Sequence, residues 1–261
     1  MNIDFTNVVE HHKARPAAIK EAKLKMPVAY FGLGILEWHG LHNFAGLDGV
    51  KAELCGKYLC SRFGGVVVPT LFYGDHRGDI CELVFNDKNF TFLTYDHTGP
   101  ICENLGYSKE ALIKNARRSE LNGGWNLFVD LMVHNFFQFE SFGYKHIIVL
   151  PGHYPLFNPV DNAVERYHSE GGLSGIFVLK DTMYADDGSS GDHAAAFETS
   201  LMMALCPESV DLTALSPNLN EANTGVLGED PRIHASAEFG YKILEKFELL
   251  TKNYLFKNQM L

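Results

Sequence analysis

The amino-acid sequence predicts an α/β protein, a three-layer α/β/α sandwich with a mostly parallel central sheet. Short, nearly uninterrupted apolar runs are typical of strands that are buried on both faces of a parallel sheet. Helical patterns of hydrophobic residues follow these runs, so that strands and helices alternate as in βαβ units. The chain of 261 residues contains no linker rich in Pro, Ser or Gly, so we expect a single domain over residues 1–261.

The first strand and helix lie near the beginning of the chain. The run VAYFGLGIL at residues 28–36 is apolar and follows Pro27, which predicts a buried strand. From Asp48 onward, apolar residues recur every four positions, which predicts a helix that ends at Gly64. The run VVVPT at residues 66–70 predicts a second strand, which ends at its proline or lies near an edge of the sheet.

The middle of the chain is less regular. Residues 74–124 show no clear periodicity beyond a possible strand at residues 90–95, and the Asp-His-Arg sequence at residues 75–77 predicts a polar turn. Regular spacing returns in the segment that starts at Trp125, which predicts a helix that ends at Gly143.

Two further strands and two helices follow. Apolar runs at residues 146–154 and 175–181 predict buried strands, and residues 158–172 between them predict a helix that ends in two glycines. After a loop rich in Gly and Ser, Asp192 can cap a helix at residues 193–205. In sheets of this kind, ligands bind beyond the carboxyl ends of the strands, where loops lead into helices.

Four side chains with metal-binding chemistry occupy that position. Glu37 and His39 follow the first strand, Asp48 begins the next helix, and His153 follows the strand at residues 146–154. The topology predicts that all four meet at one edge of the sheet. A Glu-x-His pair can point its two side chains at different metal ions, and an aspartate can bridge both ions. Zinc, manganese and iron accept such mixed carboxylate and imidazole ligands.

Each of these residues also has a purely structural interpretation. Asp48 can be the N-cap of its helix, and His39 and His153 can be hydrogen-bonded loop residues. Glu37 is harder to explain in this way, because an acid that ends a buried strand loses its hydration unless a cation meets it. A metal ion or an arginine would meet this requirement.

The helix predicted at residues 193–205 carries an acid in its apolar stripe, at Glu198. A buried acid needs a partner, so Glu198 is a metal ligand, an acid that orients a ligand, or half of an internal ion pair. We expect His193 in the first turn of the same helix, where it is either a proton shuttle or a surface residue beside a flexible loop. The apolar stripe consists of Ala194, Leu201, Met202 and Leu205.

The composition argues against several classes of protein. A net charge of −10 disfavours a nucleic-acid or anionic membrane surface. The sequence shows no secretory signal and no apolar run long enough to span a membrane, so we expect a cytoplasmic protein. Five cysteines without a CxxC pair argue against a disulfide framework or a sulfur-rich zinc site. Phosphate-binding glycine loops and the GxSxG elbow are absent from the sequence, so nucleotide-binding and serine-hydrolase functions have little support.

Three blocks of sequence form a common pattern. The first, GILEWHGLHNFAGLD, contains Glu37, His39, His42 and Asp48. The second, FGYKHIIVLPGHY, ends in a Gly-His-Tyr sequence, and the third is DHAAAFETS. In this order the blocks resemble the creatininase (creatinine amidohydrolase) family, and they span residues 28–205.

The resemblance implies an enzyme in which two divalent metal ions (zinc, manganese or iron) activate a water molecule that hydrolyses a carbon–nitrogen amide bond. By position, Glu37 and His153 would hold one ion, His39 would hold the other, and Asp48 would bridge them. His193 would transfer protons to the leaving nitrogen. The implied partners are a small cyclic or formylated polar amide and further copies of the chain in a homo-oligomer, a hexamer in many relatives.

The chain departs from the family pattern in two places. Pro155 follows the Gly-His-Tyr sequence where creatininase-like members carry a glutamate, so Glu198 is the candidate for the missing acidic ligand and for a catalytic role. The loop before the third block lacks the tryptophans that stack on creatinine, so we expect Tyr184 to replace them in part, with Tyr154 and His42 as further substrate contacts. The alternative function is a non-catalytic family member that binds a small ligand as an oligomer.

Overall fold

Four parallel strands form the sheet in the part of the chain that the computed structural model describes, residues 3–73 and 98–261. The strands are β1 Val28–Leu33, β2 Val66–Val67, β3 His146–Pro151 and β4 Gly175–Val178. They lie in the order β2-β1-β3-β4, so β1 and β3 are central and pair along their whole length. The possible strand at residues 90–95 and the polar turn at residues 75–77 lie outside the described residues.

Helices cover both faces of this sheet. They are α1 Pro16–Lys25, α2 Leu47–Phe63, α3 Thr98–Leu105, α4 Lys109–Leu121, α5 Trp125–Ser141, α6 Phe157–Ser169, α7 Ala196–Leu205, α8 Pro231–His234 and α9 Ala237–Lys257. Val28 and Tyr30 of β1 belong to the core that α2, α7 and α9 complete. Ala29 and Phe31 point to the opposite face and pack with α5 and α6. The predicted three-layer α/β/α class is therefore confirmed.

The strands are shorter than the apolar runs that predict them. β1 ends at Leu33 instead of residue 36, and β4 ends at Val178 instead of residue 181. β2 covers only Val66–Val67, although Val68 still donates a backbone hydrogen bond to Tyr30 O at 3.0 Å. Pro69 has no N–H to continue this ladder, which is the physical reason for the early end.

The helix predicted to start at His193 starts three residues later, so the placement of His193 in its first turn is wrong. Ala194 has a φ of 55°, in the left-handed region, which a right-handed helix cannot include. His193 instead exchanges two backbone hydrogen bonds with Leu227, at 3.0 and 2.9 Å. Asp192 still acts on the helix start, because its carboxylate accepts hydrogen bonds from the backbone N–H groups of Phe197 and Glu198.

Helix α9 is a feature that the alternation of strands and helices does not predict. Ser236 caps it by accepting a hydrogen bond from Phe239 N at 3.2 Å. Its apolar side packs on α7 and α2 and completes one face of the core. Within the described ranges, every helix is too short or too polar to cross a lipid bilayer.

Two glycines allow the start of α2 to approach the central strands closely. A Cβ on Gly34 would lie 2.2 Å from Gly49 N, and a Cβ on Gly152 would lie 2.1 Å from Asp48 O. Such distances exclude any side chain at either glycine unless the backbone moves. The two glycines therefore fix the position of Asp48 relative to β1 and β3.

The variant Gly152→Ala should be less stable than the wild type by about 1–3 kcal/mol, because the new methyl group pushes the start of α2 away from β3. Gly56→Ala is the matched control, since a Cβ at Gly56 meets its nearest atoms at 3.4 and 3.5 Å. That change should leave stability unchanged or raise it by about 0.5–1 kcal/mol, as expected for a glycine inside a helix. Urea unfolding of both variants measures the difference, and equal stabilities would contradict the steric argument.

Candidate metal centre

The loop after β1 places two of the predicted ligands at the carboxyl end of the sheet. Glu37 N donates a hydrogen bond to Ala45 O at 2.9 Å, which closes the loop before α2 begins. Glu37 and His39 are buried in this loop. Asp48 is the second residue of α2 and not its N-cap, which is Gly46, so the capping interpretation of Asp48 is wrong. His153 follows β3, and its side chain is buried beside the others.

The first cluster consists of Glu37, Asp48 and His153. His153 Nδ1 lies 3.1 Å from Glu37 Oε2 and 3.2 Å from Asp48 Oδ2. These two carboxylate oxygens are buried, and neither accepts a hydrogen bond of regular geometry from the described residues. Buried carboxylate oxygens without such donors, next to an imidazole nitrogen, fit the ligand set of a divalent transition metal.

The second cluster consists of His39, Asp48 and Glu198. His39 Nε2 lies 3.1 Å from Asp48 Oδ1 and 3.8 Å from Glu198 Oε2. His39 Nδ1 donates a hydrogen bond to Glu37 O at 3.0 Å, which directs Nε2 at the two acids. A hydrogen bond of this kind fixes the orientation and tautomer of metal-binding histidines. Asp48 belongs to both clusters and offers one oxygen to each, as a bridging ligand would.

The charges in the clusters depend strongly on one another. Burial lowers the pKa of His39, but the Asp48 and Glu198 carboxylates outweigh it and raise this pKa to about 9. Burial raises the pKa of Asp48, but the His39 and His153 imidazoles outweigh it and hold this pKa well below its usual range. Burial raises the pKa of Glu37 as well, and His153 and His193 hold it below its ordinary value. Metal binding would therefore release protons from the imidazoles.

His193 lies at the edge of the clusters and is only partly exposed. Its Nε2 donates a hydrogen bond to Trp38 O at 2.9 Å, and its Nδ1 lies 3.9 Å from Glu37 Oε2. The His193 and His39 ring centroids are 4.7 Å apart. Burial lowers the pKa of His193, although Glu37 opposes this effect. His193 also forms a group with Glu37 and His39 whose nitrogen and oxygen atoms are close enough to share a metal ion.

His42 is buried and holds the loop before α7. Its Nε2 lies 3.0 Å from Ala194 O, to which it donates, and 3.1 Å from Thr199 Oγ1. Asn43 Nδ2 donates to the same Thr199 hydroxyl at 3.1 Å. His42 Nδ1 has no hydrogen-bond partner among the residues described. The substrate contact predicted for His42 stays a prediction, and its contacts show that it supports the left-handed turn at Ala194.

The buried imidazole of His42 should make the protein less stable in acid. Burial lowers the pKa of His42 to about 4, whereas an unfolded histidine titrates near ~6.5. Between these pH values the unfolded chain binds a proton that the folded chain does not, so the free energy of unfolding falls as pH decreases. This effect should reach roughly 2–3 kcal/mol.

Urea unfolding of metal-free protein at pH 7 and pH 4.5 measures this loss. The difference between the two pH values should be smaller in His42→Gln, which lacks the titrating group. If the free energy of unfolding depends on pH equally in the variant and the wild type, His42 does not contribute to the loss of stability in acid.

The two tyrosines predicted to contact substrate lie in different surroundings. Tyr154 is 69% exposed directly after His153, and its ring packs against Phe157. The Tyr184 ring contacts Phe197 and Phe239 in the core beneath α7 and α9. The observed contacts of Tyr184 are thus with core residues and not with either cluster. Both substrate roles stay predictions.

Lys51 is a functional candidate that the sequence motifs do not reveal. Its side chain is buried, and Nζ lies 2.7 Å from Asp181 Oδ2 and 2.6 Å from Glu198 Oε1. The signal in the sequence is its spacing, because Lys51 follows Asp48 by three residues and precedes Cys55 by four, on the buried face of α2. A lysine in that stripe requires an acidic partner.

Comparisons with known proteins agree with this architecture. The sequence profile of the creatininase family, described as creatinine amidohydrolase, matches residues 124–247. A solved creatinine amidohydrolase (creatininase) is 18% identical with a TM-score of 0.62, over 96% of this chain and 98% of that one. A creatininase variant with a tryptophan-to-alanine substitution is 17% identical with a TM-score of 0.63, at the same coverage.

A glutamate-to-glutamine variant of creatininase complexed with creatine gives 17% identity and a TM-score of 0.63, over 96% of this chain and 98% of that one. Other similar creatininase structures are described as Mn and as Zn-Zn types. Among curated proteins, no sequence matches this chain. At these identities, the structural similarity establishes a common fold.

The fold and the two clusters define an α/β/α protein with a buried carboxylate and imidazole centre that can bind metal. The creatininase profile over residues 124–247 and the common fold relate this chain to the creatininase family. This profile match supports an amidohydrolase.

Proposed function

We propose that the protein is a metal-dependent amidohydrolase that hydrolyses the carbon–nitrogen bond of a small cyclic or formylated polar amide. The observation that carries this proposal is the first cluster, in which Glu37, Asp48 and His153 direct two carboxylate oxygens and an imidazole nitrogen at one another. Such a group is stable only if a cation or protons compensate its negative charge. A divalent metal ion satisfies this requirement.

The proposed cofactors are two divalent ions, of zinc, manganese or iron. Glu37, Asp48 and His153 would hold one ion, and His39, Asp48 and Glu198 would hold the other. When bound, such ions lower the pKa of water toward neutrality and polarise the carbonyl of an amide. Related creatininase structures of the Mn and Zn-Zn types support the choice of metals.

The residues of the chain supply the proton transfers. His193 lies beside Glu37 and is partly open to solvent, so it can accept a proton and deliver it to the leaving nitrogen. An amine leaves poorly unless its nitrogen is protonated, which makes this transfer necessary. The hydrogen bond from His193 Nε2 to Trp38 O keeps the ring oriented, with Nδ1 toward the Glu37 carboxylate. Glu198 is the other residue proposed to be catalytic.

The proposal also covers the partners and the location of the protein. The substrate is a small amide, with His42, Tyr154 and Tyr184 as the residues predicted to contact it. The chain assembles with further copies of itself as a homo-oligomer, a hexamer as in many relatives, and the protein is located in the cytoplasm.

The proposed activity can be tested by assaying metal-loaded protein against a panel of lactams, formamides and cyclic ureides. We expect turnover of at least one compound, loss of turnover after chelation, and recovery on adding zinc, manganese or iron. Protein that retains its metal and hydrolyses none of the panel would contradict the enzyme proposal. That result would favour the second candidate, a non-catalytic family member that binds a small ligand, which the replacement of an acidic ligand by Pro155 supports.

A further inference from the structure

Lys51 brings a permanent positive charge to the edge of the second cluster. Its side chain is 2% exposed and lies between the carboxylates of Asp181 and Glu198. An ammonium group buried in this way is stable only with close acidic partners, and here it has two. The pair with Glu198 matters most, because Glu198 also belongs to the second cluster.

Both oxygens of Glu198 are already occupied. Oε1 accepts a hydrogen bond from Lys51 Nζ at 2.6 Å, and Oε2 accepts one from Ala194 N at 2.7 Å. Asp48 Oδ1, the other carboxylate oxygen of the second cluster, accepts from His39 Nε2 at 3.1 Å. A cation that enters the second cluster must displace or share these interactions.

The first cluster differs in this respect. Glu37 Oε2 and Asp48 Oδ2 are buried and lack a regular hydrogen bond from the described residues. The His153 ring lies beside both oxygens, and His193 Nδ1 lies 3.9 Å from Glu37 Oε2. A cation entering the first cluster therefore gains two carboxylate oxygens without displacing a lysine.

We propose that Lys51 makes the two metal sites unequal, so that one ion binds tightly at Glu37, Asp48 and His153 and the second binds weakly at His39, Asp48 and Glu198. The inference rests on the proposed metal-dependent function, and it states that the two metal sites differ in affinity. The Lys51 ammonium takes over part of the charge compensation that a second ion would provide to Glu198. Because a unit charge a few ångströms away strongly repels a divalent cation, the second affinity should be at least ~100-fold weaker.

Zinc titration of the metal-free wild-type protein tests whether the two sites differ in zinc affinity. Isothermal titration calorimetry, together with metal analysis of protein equilibrated at buffered free zinc concentrations, should give one ion per chain at low free zinc. The second ion should bind only at concentrations about 100-fold higher or more. Two ions of equal affinity would overturn the inference and leave the proposed metal-dependent function intact, whereas a protein that binds no zinc would overturn both.

The double variant Lys51→Met/Asp181→Asn tests the role of the lysine. It removes one positive and one negative charge together, so net charge is unchanged and Glu198 is the buried acid that loses its lysine partner. The second zinc affinity should rise at least ~10-fold, and the first should change less. The matched control is Lys57→Met/Glu53→Gln, which removes another ion pair, at 2.6 Å, from the same helix. If the double variant folds and its second zinc ion binds with unchanged affinity, the role of Lys51 is overturned. If that variant does not fold, the titration of the wild type still tests whether the two sites differ in zinc affinity.

Discussion

Replacing Glu37 by glutamine should remove the tightly bound metal ion and abolish hydrolysis. The amide has the same shape as the carboxylate but no charge, so the first cluster loses one of its two anionic ligands. The remaining Asp48 and His153 would bind a divalent ion at least ~100-fold more weakly, since even residues that only orient metal ligands are worth 10–100-fold. Metal analysis after gentle purification measures this loss directly.

Thermal unfolding gives a second measurement for Glu37→Gln. Metal that binds only the folded state raises the unfolding temperature of the wild type, and this increase should disappear in the variant. Metal-free variant should be no more stable than metal-free wild type, because the attraction of Glu37 to the His153 and His193 imidazoles, which the substitution removes, outweighs its repulsion from Asp48. Glu53→Gln on the outer part of α2 is the control and should retain its metal. A Glu37→Gln protein with full metal content would refute the assignment of the first site.

Replacing His193 by alanine should lower kcat by about 10²–10⁴-fold while the metal content stays that of the wild type. The imidazole is the proposed proton donor to the leaving nitrogen, and its ring lies beside Glu37 without belonging to either cluster. Measuring kcat, KM and bound metal in the same preparation separates proton transfer from metal binding.

His146→Gln is the matched control for His193→Ala. His146 begins β3, at the opposite end of that strand from His153, and its Nδ1 lies 2.9 Å from Tyr254 Oη. This variant should keep nearly full activity. Loss of metal from His193→Ala would show that His193 is a ligand, as its position near Glu37 and His39 allows. Unchanged turnover would show that it transfers no catalytic proton.

The positions of the main site residues follow from the sequence by a topological argument. Apolar runs identify β1 and β3 as buried strands, and parallel strands present their carboxyl ends at one edge of a sheet. Residues that follow these ends, such as Glu37 and His153, must therefore lie near each other, and the structure brings them to 3.1 Å between His153 Nδ1 and Glu37 Oε2. Periodicity likewise identifies Glu198 as an inward-facing acid, and it is buried. Their roles as ligands stay predictions.

Backbone details at the site do not follow from the same argument. The pattern of apolar residues includes Ala194 in the α7 stripe, but its left-handed conformation ends the helix before it reaches His193. Alanine has no intrinsic preference for that conformation. The conformation depends on the hydrogen bond that Ala194 N donates to Glu198 and on the one that Ala194 O accepts from His42, which is 152 residues away in the chain.

The sequence by itself determined which segments are buried and at which edge of the sheet the acids and histidines meet. Local spacing carries that information, because burial on a strand or helix repeats with the period of the element. Only the tertiary structure decided which partner each buried charge has. Lys51 pairs with Asp181 and Glu198, which are 130 and 147 residues away, and no local pattern encodes such a distance. The electrostatic difference between the two clusters arises from these pairings, because charge compensation in a buried site depends on atoms within a few ångströms and not on neighbours in sequence.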